Sequence, residues 1–164
     1  MSYVRYIDKT RAYYESIGYE KPYQWAHFDE VPFTRLTRPL SECRIALVST
    51  SDIAIKANED GADPHEQFLV GSVYSIPADT SVEALYSPQE HYDVNATHLD
   101  DVNSFFPITR LQELAASGHC ADIAPRAHGV YTAYSQRRTL EIDAPEVLKR
   151  CREDAVDAVV LVPI

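Results

Sequence analysis

Three segments place apolar residues at helical spacing, and each predicts an amphipathic helix. In "YVRYIDKTRAYYESIG", which ends at Gly18, the apolar stripe consists of Tyr3, Ile7, Tyr14 and Ile17, with Val4 beside it. In "FPITRLQELAASG", Pro107 stands in the first turn and Gly118 just past the end, and the stripe consists of Ile108, Leu111, Leu114 and Ala115. In "DAPEVLKRCRED", Asp143 is expected to cap the helix, with Pro145 in the first turn, Glu146 completing a capping box, and Val147, Leu148 and Cys151 facing inward.

Short apolar runs predict the strands between these helices. Ile45–Val48 and Ala158–Val162 are continuous apolar runs, as is typical of strands buried on both faces of a parallel sheet. The stretch "FLVGSVYSIP" offers another strand, which Gly71 interrupts. The pattern therefore predicts an α/β fold with an open, mostly parallel sheet flanked by helices, in which the runs at 45–48 and 158–162 lie parallel in one sheet.

The segment between the first helix and the first strand predicts an extended N-terminal arm. The stretch "YEKPYQWAHFDEVPFTRLTRPLSE" contains three prolines and is expected to wrap over the surface and anchor through Tyr23, Trp25, Phe28 and Phe33. We therefore expect one α/β domain over residues 1–164, in which residues 1–40 form the helix and wrapped arm and residues 41–164 form the core.

Charge and composition exclude several classes of protein. The formal net charge is −10 and lysine and arginine do not cluster, so we expect no nucleic-acid partner. No apolar run approaches the ~20 residues of a membrane span, and the charged N-terminus is unlike a signal peptide, so a cytoplasmic protein with no membrane partner is expected. Cys43, Cys120 and Cys151 lack metal-site or disulfide spacing and are expected to be reduced and structural.

Two segments carry candidate chemistry. "EHYDVNATHLDD" gathers His91, Asp93, His98, Asp100 and Asp101, which could ligate a metal or could form a solvated polar loop. Its spacing fits no metal motif, so we expect no tightly bound transition metal. "APRAHGVYTAYSQRR" carries Arg126, His128, Tyr131, Tyr134 and Ser135, which could bind an anionic substrate or could be a loop of packed tyrosines and solvated arginines.

Several blocks together resemble a known family. "VPFTRLTRPLSECRIALVST", "EHYD", "FPITRLQELAASG", "IAPR" and "DAVDAVVLVP" occur in the order and approximate spacing of the selenoprotein B family of glycine, sarcosine and betaine reductases, which includes the proline reductase subunit. The resemblance covers residues 31–164. One departure is that Ser49, Thr50, Ser51 and Asp52 stand where relatives carry a turn rich in threonine and glycine.

The resemblance implies reduction of a carbon–nitrogen bond in a small amino acid or betaine. The family's nucleophile is a selenocysteine or cysteine directly after the strand that "DAVVLVP" matches, so it is expected just beyond Ile164, with the chain cut at a selenocysteine codon. On this hypothesis His91, Asp93 and His128 would be catalytic, and Arg126, Tyr92 and Tyr131 would bind substrate. The expected partners are a small-molecule substrate, a thiol or selenoprotein redox partner and a second copy of the chain, with no cofactor expected.

The alternative is a noncatalytic binding or assembly subunit. On that hypothesis the chain is a natural short form, and its last strand is covered by a partner or by the N-terminal arm, because exposed apolar strands tend to aggregate.

Overall fold

The computed structural model describes residues 5–21, 24, 26–56, 72–88, 98–131 and 135–164. The chain divides into two compact units, Met1–Thr34 and Arg35–Ile164. In the first unit, helix α1 spans Tyr6–Ser16, as the periodicity predicts. It ends at Gly18, which adopts a φ of 90°, and the N–H groups of Gly18 and Tyr19 donate to the carbonyls of Glu15 and Tyr14. This pair of hydrogen bonds is the usual glycine termination of a helix.

The predicted arm has no helix or strand over residues 26–39. Its predicted anchoring is not confirmed, because Phe28 and Phe33 are 55% and 84% exposed. The other two predicted anchors, Tyr23 and Trp25, lie outside the described residues.

The second unit combines strands with helices, in agreement with the predicted α/β class. Its strands are β1 (Arg44–Ser49), β2 (Ala54–Ile55), β3 (Val73–Pro77), β4 (Leu85–Tyr86), β5 (Asp122–Ile123), β6 (Arg126–Val130) and β7 (Ala158–Val162). Its helices are α2 (Ile108–Ala116), α3 (Gln136–Arg138) and α4 (Ala144–Glu153), and a π-helical stretch, Thr139–Asp143, joins the last two. Strand β3 confirms the second half of "FLVGSVYSIP", whereas residues 68–71 lie outside the described part of the chain.

Strand β1 is the centre of a mixed, mostly parallel sheet. It pairs in parallel with β7 over five residues, with β5 at its start and with β6 at its end. Because β7 pairs along one side of β1, β5 and β6 must both pair along its other side. Strand β3 adds to β6 in the antiparallel direction, and β2 and β4 form a separate two-stranded sheet. The parallel pairing of β1 with β7 confirms the predicted architecture.

The two faces of the main sheet are covered differently. The face that carries Leu47 packs against Phe105 and Phe106 and against α2, which buries Ile108 and Leu111, in one large apolar core. Within the described ranges, the opposite face carries a small apolar cluster, Ala46, Ala124 and Cys151. Leu114 of α2, predicted to face inward, is 42% exposed.

Strand β7 is not buried on both faces, contrary to the prediction. Its exposure alternates: Ala158, Val160 and Val162 pack against the large core, whereas Val159 and Leu161 are 39% and 70% exposed. Successive side chains of a strand point to opposite faces. An unbroken apolar run therefore shows that both faces carry apolar side chains, but not that both faces are buried. Among the described residues, the second face of β7 is therefore only partly covered, and least of all at Leu161.

The start of α4 also differs from the prediction. Asp143 does not cap the helix, because it has helical dihedral angles and its buried Oδ1 accepts a hydrogen bond from the Ser72 N–H at 2.9 Å. The helix begins earlier, at α3, where the Ser135 hydroxyl accepts from the Arg138 N–H. Pro145 cannot donate a main-chain hydrogen bond, and a π-helical turn precedes it, where the ordinary helical pattern is interrupted.

The predicted inward face of α4 is correct only in part. Cys151 is buried and Val147 packs beside it, but Leu148 is 49% exposed. Glu146 forms no capping box and instead bonds Arg150. The inward face is therefore partly charged, which a count of apolar residues overlooks.

Candidate functional site

The carboxyl ends of the parallel strands meet at one edge of the sheet. Strands β1, β6 and β7 end at Ser49, Val130 and Val162. In open α/β sheets, ligands bind outside this edge, in the loops that follow the strands. The turn after β1, residues 49–53, is therefore the first part of the chain to consider as a site.

Buried hydroxyl groups hold this turn in place. The Ser49 hydroxyl donates to the Phe105 carbonyl at 3.0 Å, so the Ser51 hydroxyl must be the donor in the 2.7 Å bond that joins the two serines. Both serines are 1% exposed. The Ser87 hydroxyl in turn donates to the Ser51 carbonyl at 2.6 Å. The serines therefore serve the turn itself and present no free hydroxyl to solvent.

The turn is also tied to β3 and β6. Asp52 adopts a left-handed φ of 48°, which aspartate tolerates better than most residues. The next N–H, of Ile53, donates to the Tyr74 hydroxyl at 2.6 Å. The Tyr74 ring covers Gly129 and packs on Tyr131 with ring centroids 4.7 Å apart. Tyr131 follows β6 and is half-buried, so it lies at the same edge as the turn.

Thr50 connects the turn to the end of β7. Its N–H donates to the Val162 carbonyl at 3.2 Å. Its hydroxyl donates to the Ile164 carbonyl at 3.2 Å and accepts from the Ile164 N–H at 2.9 Å. The segment after β7 is therefore held beside the turn after β1.

His128 lies in the middle of β6, beneath α4, with no exposed surface. Its Nδ1 is 2.9 Å from the Ser75 hydroxyl, which accepts from Arg150 Nη1 at 2.7 Å. The Ser75 oxygen can accept a second hydrogen bond or donate its own proton, so the tautomer of His128 decides which of the pair is the donor. Nε2 is buried and has no hydrogen-bond partner among the described residues. Burial above all, and then the charges of Arg126 and Arg150, lower the pKa of His128 to about 4.

A buried ion pair supports this histidine from α4. Arg150 is 5% exposed, and its Nε donates to Glu146 Oε1 at 2.7 Å. This hydrogen bond is the main reason that the pKa of Glu146 is lowered. Sequence reasoning missed Ser75, Glu146 and Arg150. The available signals were the four-residue spacing of Glu146 and Arg150 on one helix and a lone serine inside an apolar strand.

Arg126 begins β6 and is engaged by the end of α4. Its Nε and Nη2 donate to Asp154 and Glu153 at 2.7 and 2.8 Å. The bond to Asp154 is the main cause of its raised pKa. Arg126 and Tyr131 therefore lie at opposite ends of β6, and of the described candidates only Tyr131 lies at the carboxyl edge. For Arg126 or His128 to contact a substrate, α4 would have to move.

The other predicted residues divide into two groups. His91, Tyr92, Asp93 and Tyr134 lie outside the described residues. His98, Asp100 and Asp101 are exposed, and Asp101 Oδ1 accepts from the Asn103 N–H at 2.9 Å, which caps the short turn that follows. For Asp101, this capping role agrees with the interpretation of the segment as a polar loop. Within the ranges that the structure covers, no three histidine, cysteine or acidic side chains gather as a metal site would require.

None of the three cysteines is placed as a nucleophile. Cys43, Cys120 and Cys151 are 0%, 4% and 5% exposed, and all three are free thiols. Burial is the main cause that raises the pKa of Cys120 and of Cys151. A reactive cysteine needs the opposite, a lowered pKa and access to solvent. The structure thus supports the structural interpretation of these residues.

A pocket of about 430 Å³ lies at the other edge of the sheet, where β1 begins. Arg44, Gln112 and Asp122 contribute to its lining. Arg44 already donates to the Asp154 carbonyl at 2.9 Å and contacts the Asp122 carboxylate at 3.4 Å. Two of its charged groups, Arg44 and Asp122, thus contact each other, and the pocket lies at the opposite end of the strands from the carboxyl edge. In the described helices, no stretch is both long and apolar enough to span a membrane.

Comparison with known proteins supplies one relative. The chain is 29% identical over 133 residues to D-proline reductase subunit gamma of Acetoanaerobium sticklandii, an alignment that covers 79% of this chain and 52% of the relative. The chain thus spans about half the length of that protein. No family model matches the chain, and no solved structure matches it. The similarity confirms the resemblance that the sequence blocks indicate: the chain is related to the reductase family of which D-proline reductase subunit gamma is a member.

Proposed function

We propose that this chain is part of an oxidoreductase that cleaves a carbon–nitrogen bond of a small amino acid or betaine. The observation that carries the proposal is the 29% identity to D-proline reductase subunit gamma over 79% of the chain. The fold supports it, because a mostly parallel sheet offers a ligand site at its carboxyl edge. Residues 49–53, Tyr131 and the segment after Val162 would form that site.

The reaction needs two electrons and two protons. A selenolate or thiolate attacks the carbon that bears nitrogen, the carbon–nitrogen bond breaks, and the amine leaves with a proton. A thiol partner then reduces the resulting carbon–sulfur or carbon–selenium bond to carbon–hydrogen and ends as a disulfide or selenenylsulfide. The chain would bind the substrate, and the redox partner would supply the electrons.

The reacting group in this proposal is none of Cys43, Cys120 or Cys151. Each is buried, and a buried neutral thiol is a poor nucleophile. We therefore propose that a selenocysteine or cysteine outside these residues, following the segment after β7, performs the covalent step. Three buried free thiols also fit a reducing compartment, and we propose the cytoplasm.

Among the predicted site residues, Tyr131 is the best placed to contact substrate. It lies where β6 ends, and its ring is held against Tyr74. We propose that His91, Tyr92 and Asp93 contribute from the segment between β4 and α2. Arg126 and His128, which lie on β6 and are covered by α4 and its end, would have a structural role unless that helix moves to admit the substrate.

The test uses the natural gene product purified from its own cells. Peptide mass spectrometry and selenium analysis should find residues beyond Ile164 that carry selenium or a thiol. With dithiothreitol as donor, the product should reductively cleave D-proline, glycine, sarcosine or betaine. Cys120→Ser should keep this activity, because the Cys120 side chain is buried away from the carboxyl edge. Absence of turnover with all four substrates would contradict the proposal.

A second candidate is a noncatalytic binding or assembly subunit. Two observations favour it: the three thiols are buried, and Val159 and Leu161 of β7 are apolar and exposed. If the natural product lacks any nucleophile yet elutes with a partner or as a homo-oligomer at nanomolar concentration, this candidate replaces the reductase.

A further inference from the structure

The end of strand β7 is held by a side chain where main-chain pairing stops. The parallel ladder between β1 and β7 ends with the pair Ser49 and Val162. The next residue of β7 is Pro163, which has no N–H to donate. Thr50 continues the contact through its hydroxyl, which donates to the Ile164 carbonyl and accepts from the Ile164 N–H.

This contact sets the direction of the chain after β7. A single hydroxyl that bonds both the N–H and the oxygen of Ile164 restricts that residue more than either bond would alone. Thr50 is itself fixed, because its neighbours Ser49 and Ser51 are buried and hydrogen-bonded to each other and to Phe105. Thr50 therefore ties Ile164 to a rigid turn.

We propose that Thr50 is a positioning residue that aims the segment after Val162 at the carboxyl edge of the sheet. The inference rests on the proposed function, because that segment leads to the reacting selenol or thiol. Thr50 would not touch the substrate. It would hold the attacking group within reach of a substrate carbon, where a displacement of about 1 Å can cost about 100-fold in rate.

The test compares Thr50→Val with Thr50→Ser in the natural gene product. Valine keeps the shape of threonine and removes the hydroxyl, whereas serine keeps the hydroxyl. We expect Thr50→Val to lower kcat at least about tenfold with KM within about twofold, and Thr50→Ser to retain most of kcat. Thr139→Val is the matched control, since the Thr139 hydroxyl donates to the Ser135 carbonyl at 3.1 Å, four residues away on its own helix, and not to the segment after β7.

A second measurement does not depend on activity. In the chain of residues 1–164 labelled with ¹⁵N-isoleucine, Thr50→Val should speed amide exchange at Ile164 at least about fivefold, because it removes that amide's acceptor. Thr50→Ser and Thr139→Val should leave exchange at this amide unchanged.

The outcomes separate the two proposals. The positioning role is overturned if kcat is unchanged in Thr50→Val. It is also overturned if Thr50→Val and Thr50→Ser lose the same amount of kcat and the same amount of melting temperature. If the wild-type product turns over none of the substrates, the proposed function fails. Exchange at Ile164 then decides whether Thr50 holds the segment, and unchanged exchange in Thr50→Val overturns that as well.

Discussion

The buried imidazole of His128 should make the fold sensitive to acid. In the folded chain the pKa of His128 is about 4, against an ordinary value of 6.5, because the site is buried and two arginines lie nearby. The unfolded chain therefore binds a proton at His128 between these pH values and the folded chain does not. The contribution of His128 to the free energy of unfolding is constant above pH 6.5 and falls as the pH is lowered from 6.5 towards 4.

The size of the effect follows from the difference between the two pKa values. At about 1.4 kcal/mol per pH unit, the difference between 6.5 and about 4 corresponds to a loss of about 3 kcal/mol. The groups that face the imidazole are Ser75 from β3, Arg126 on its own strand, and Glu146, Arg150 and Asp154 from α4 and its end. The two carboxylates offset part of the arginines' effect but do not cancel it.

Urea unfolding followed by far-ultraviolet circular dichroism, at pH values from 7.5 to 4, measures this loss. His128→Asn removes the titrating group and keeps a side chain that can hydrogen-bond the Ser75 hydroxyl. Between pH 7.5 and 4 its free energy of unfolding should therefore fall by about 3 kcal/mol less than that of the wild type. His119→Asn is the control, because His119 is exposed. Below pH 5 the carboxylates also titrate, and the difference between wild type and His128→Asn removes their contribution. Parallel pH profiles for wild type and His128→Asn would show that the reasoning is wrong.

Three further substitutions test the packing by urea unfolding at pH 7. Gly129→Ala should cost about 3 kcal/mol, because the added methyl overlaps the Tyr74 ring; a cost under ~1 kcal/mol would show that the ring moves aside. Ala155→Gly should stabilise by about 0.5–1 kcal/mol, because residue 155 adopts a φ of 52° at the end of α4; destabilisation would contradict this. Glu146→Gln should cost about 3 kcal/mol that added salt does not restore, because Arg150 is left buried and charged; a neutral result would mean that the pair carries no net stability.

The elements that the sequence predicts well are those whose signals are local. The end of α2 is set by a glycine with positive φ, and its inward face by the spacing of Ile108 and Leu111. The parallel pairing of β1 with β7 is predicted by two continuous apolar runs, the pattern of strands in a parallel sheet. Asp143 shows the limit of such signals. It looks like a helix cap in the sequence, but its carboxylate bonds a main-chain N–H that lies 71 residues away.

The candidate site shows the same division between local and tertiary information. The sequence pointed to His128, Arg126 and Tyr131 as one cluster, because they lie within six residues. The strand separates them: Tyr131 reaches the carboxyl edge, Arg126 pairs at the opposite end, and His128 lies between them under α4. Neighbours in a strand diverge because it is extended by ~3.3 Å per residue.

By itself, the sequence determined the α/β class, the main helices and strands, and the relation to the reductase family, since each depends on periodicity or on blocks of residues read in order. Only the tertiary structure decided which polar groups meet. The bond between Ser75 and His128 spans 53 residues, that between Ser75 and Arg150 spans 75, and the contact of Thr50 with Ile164 spans 114. Such contacts depend on strand register and helix placement, because a buried polar group takes whichever partner the packed backbone brings within reach.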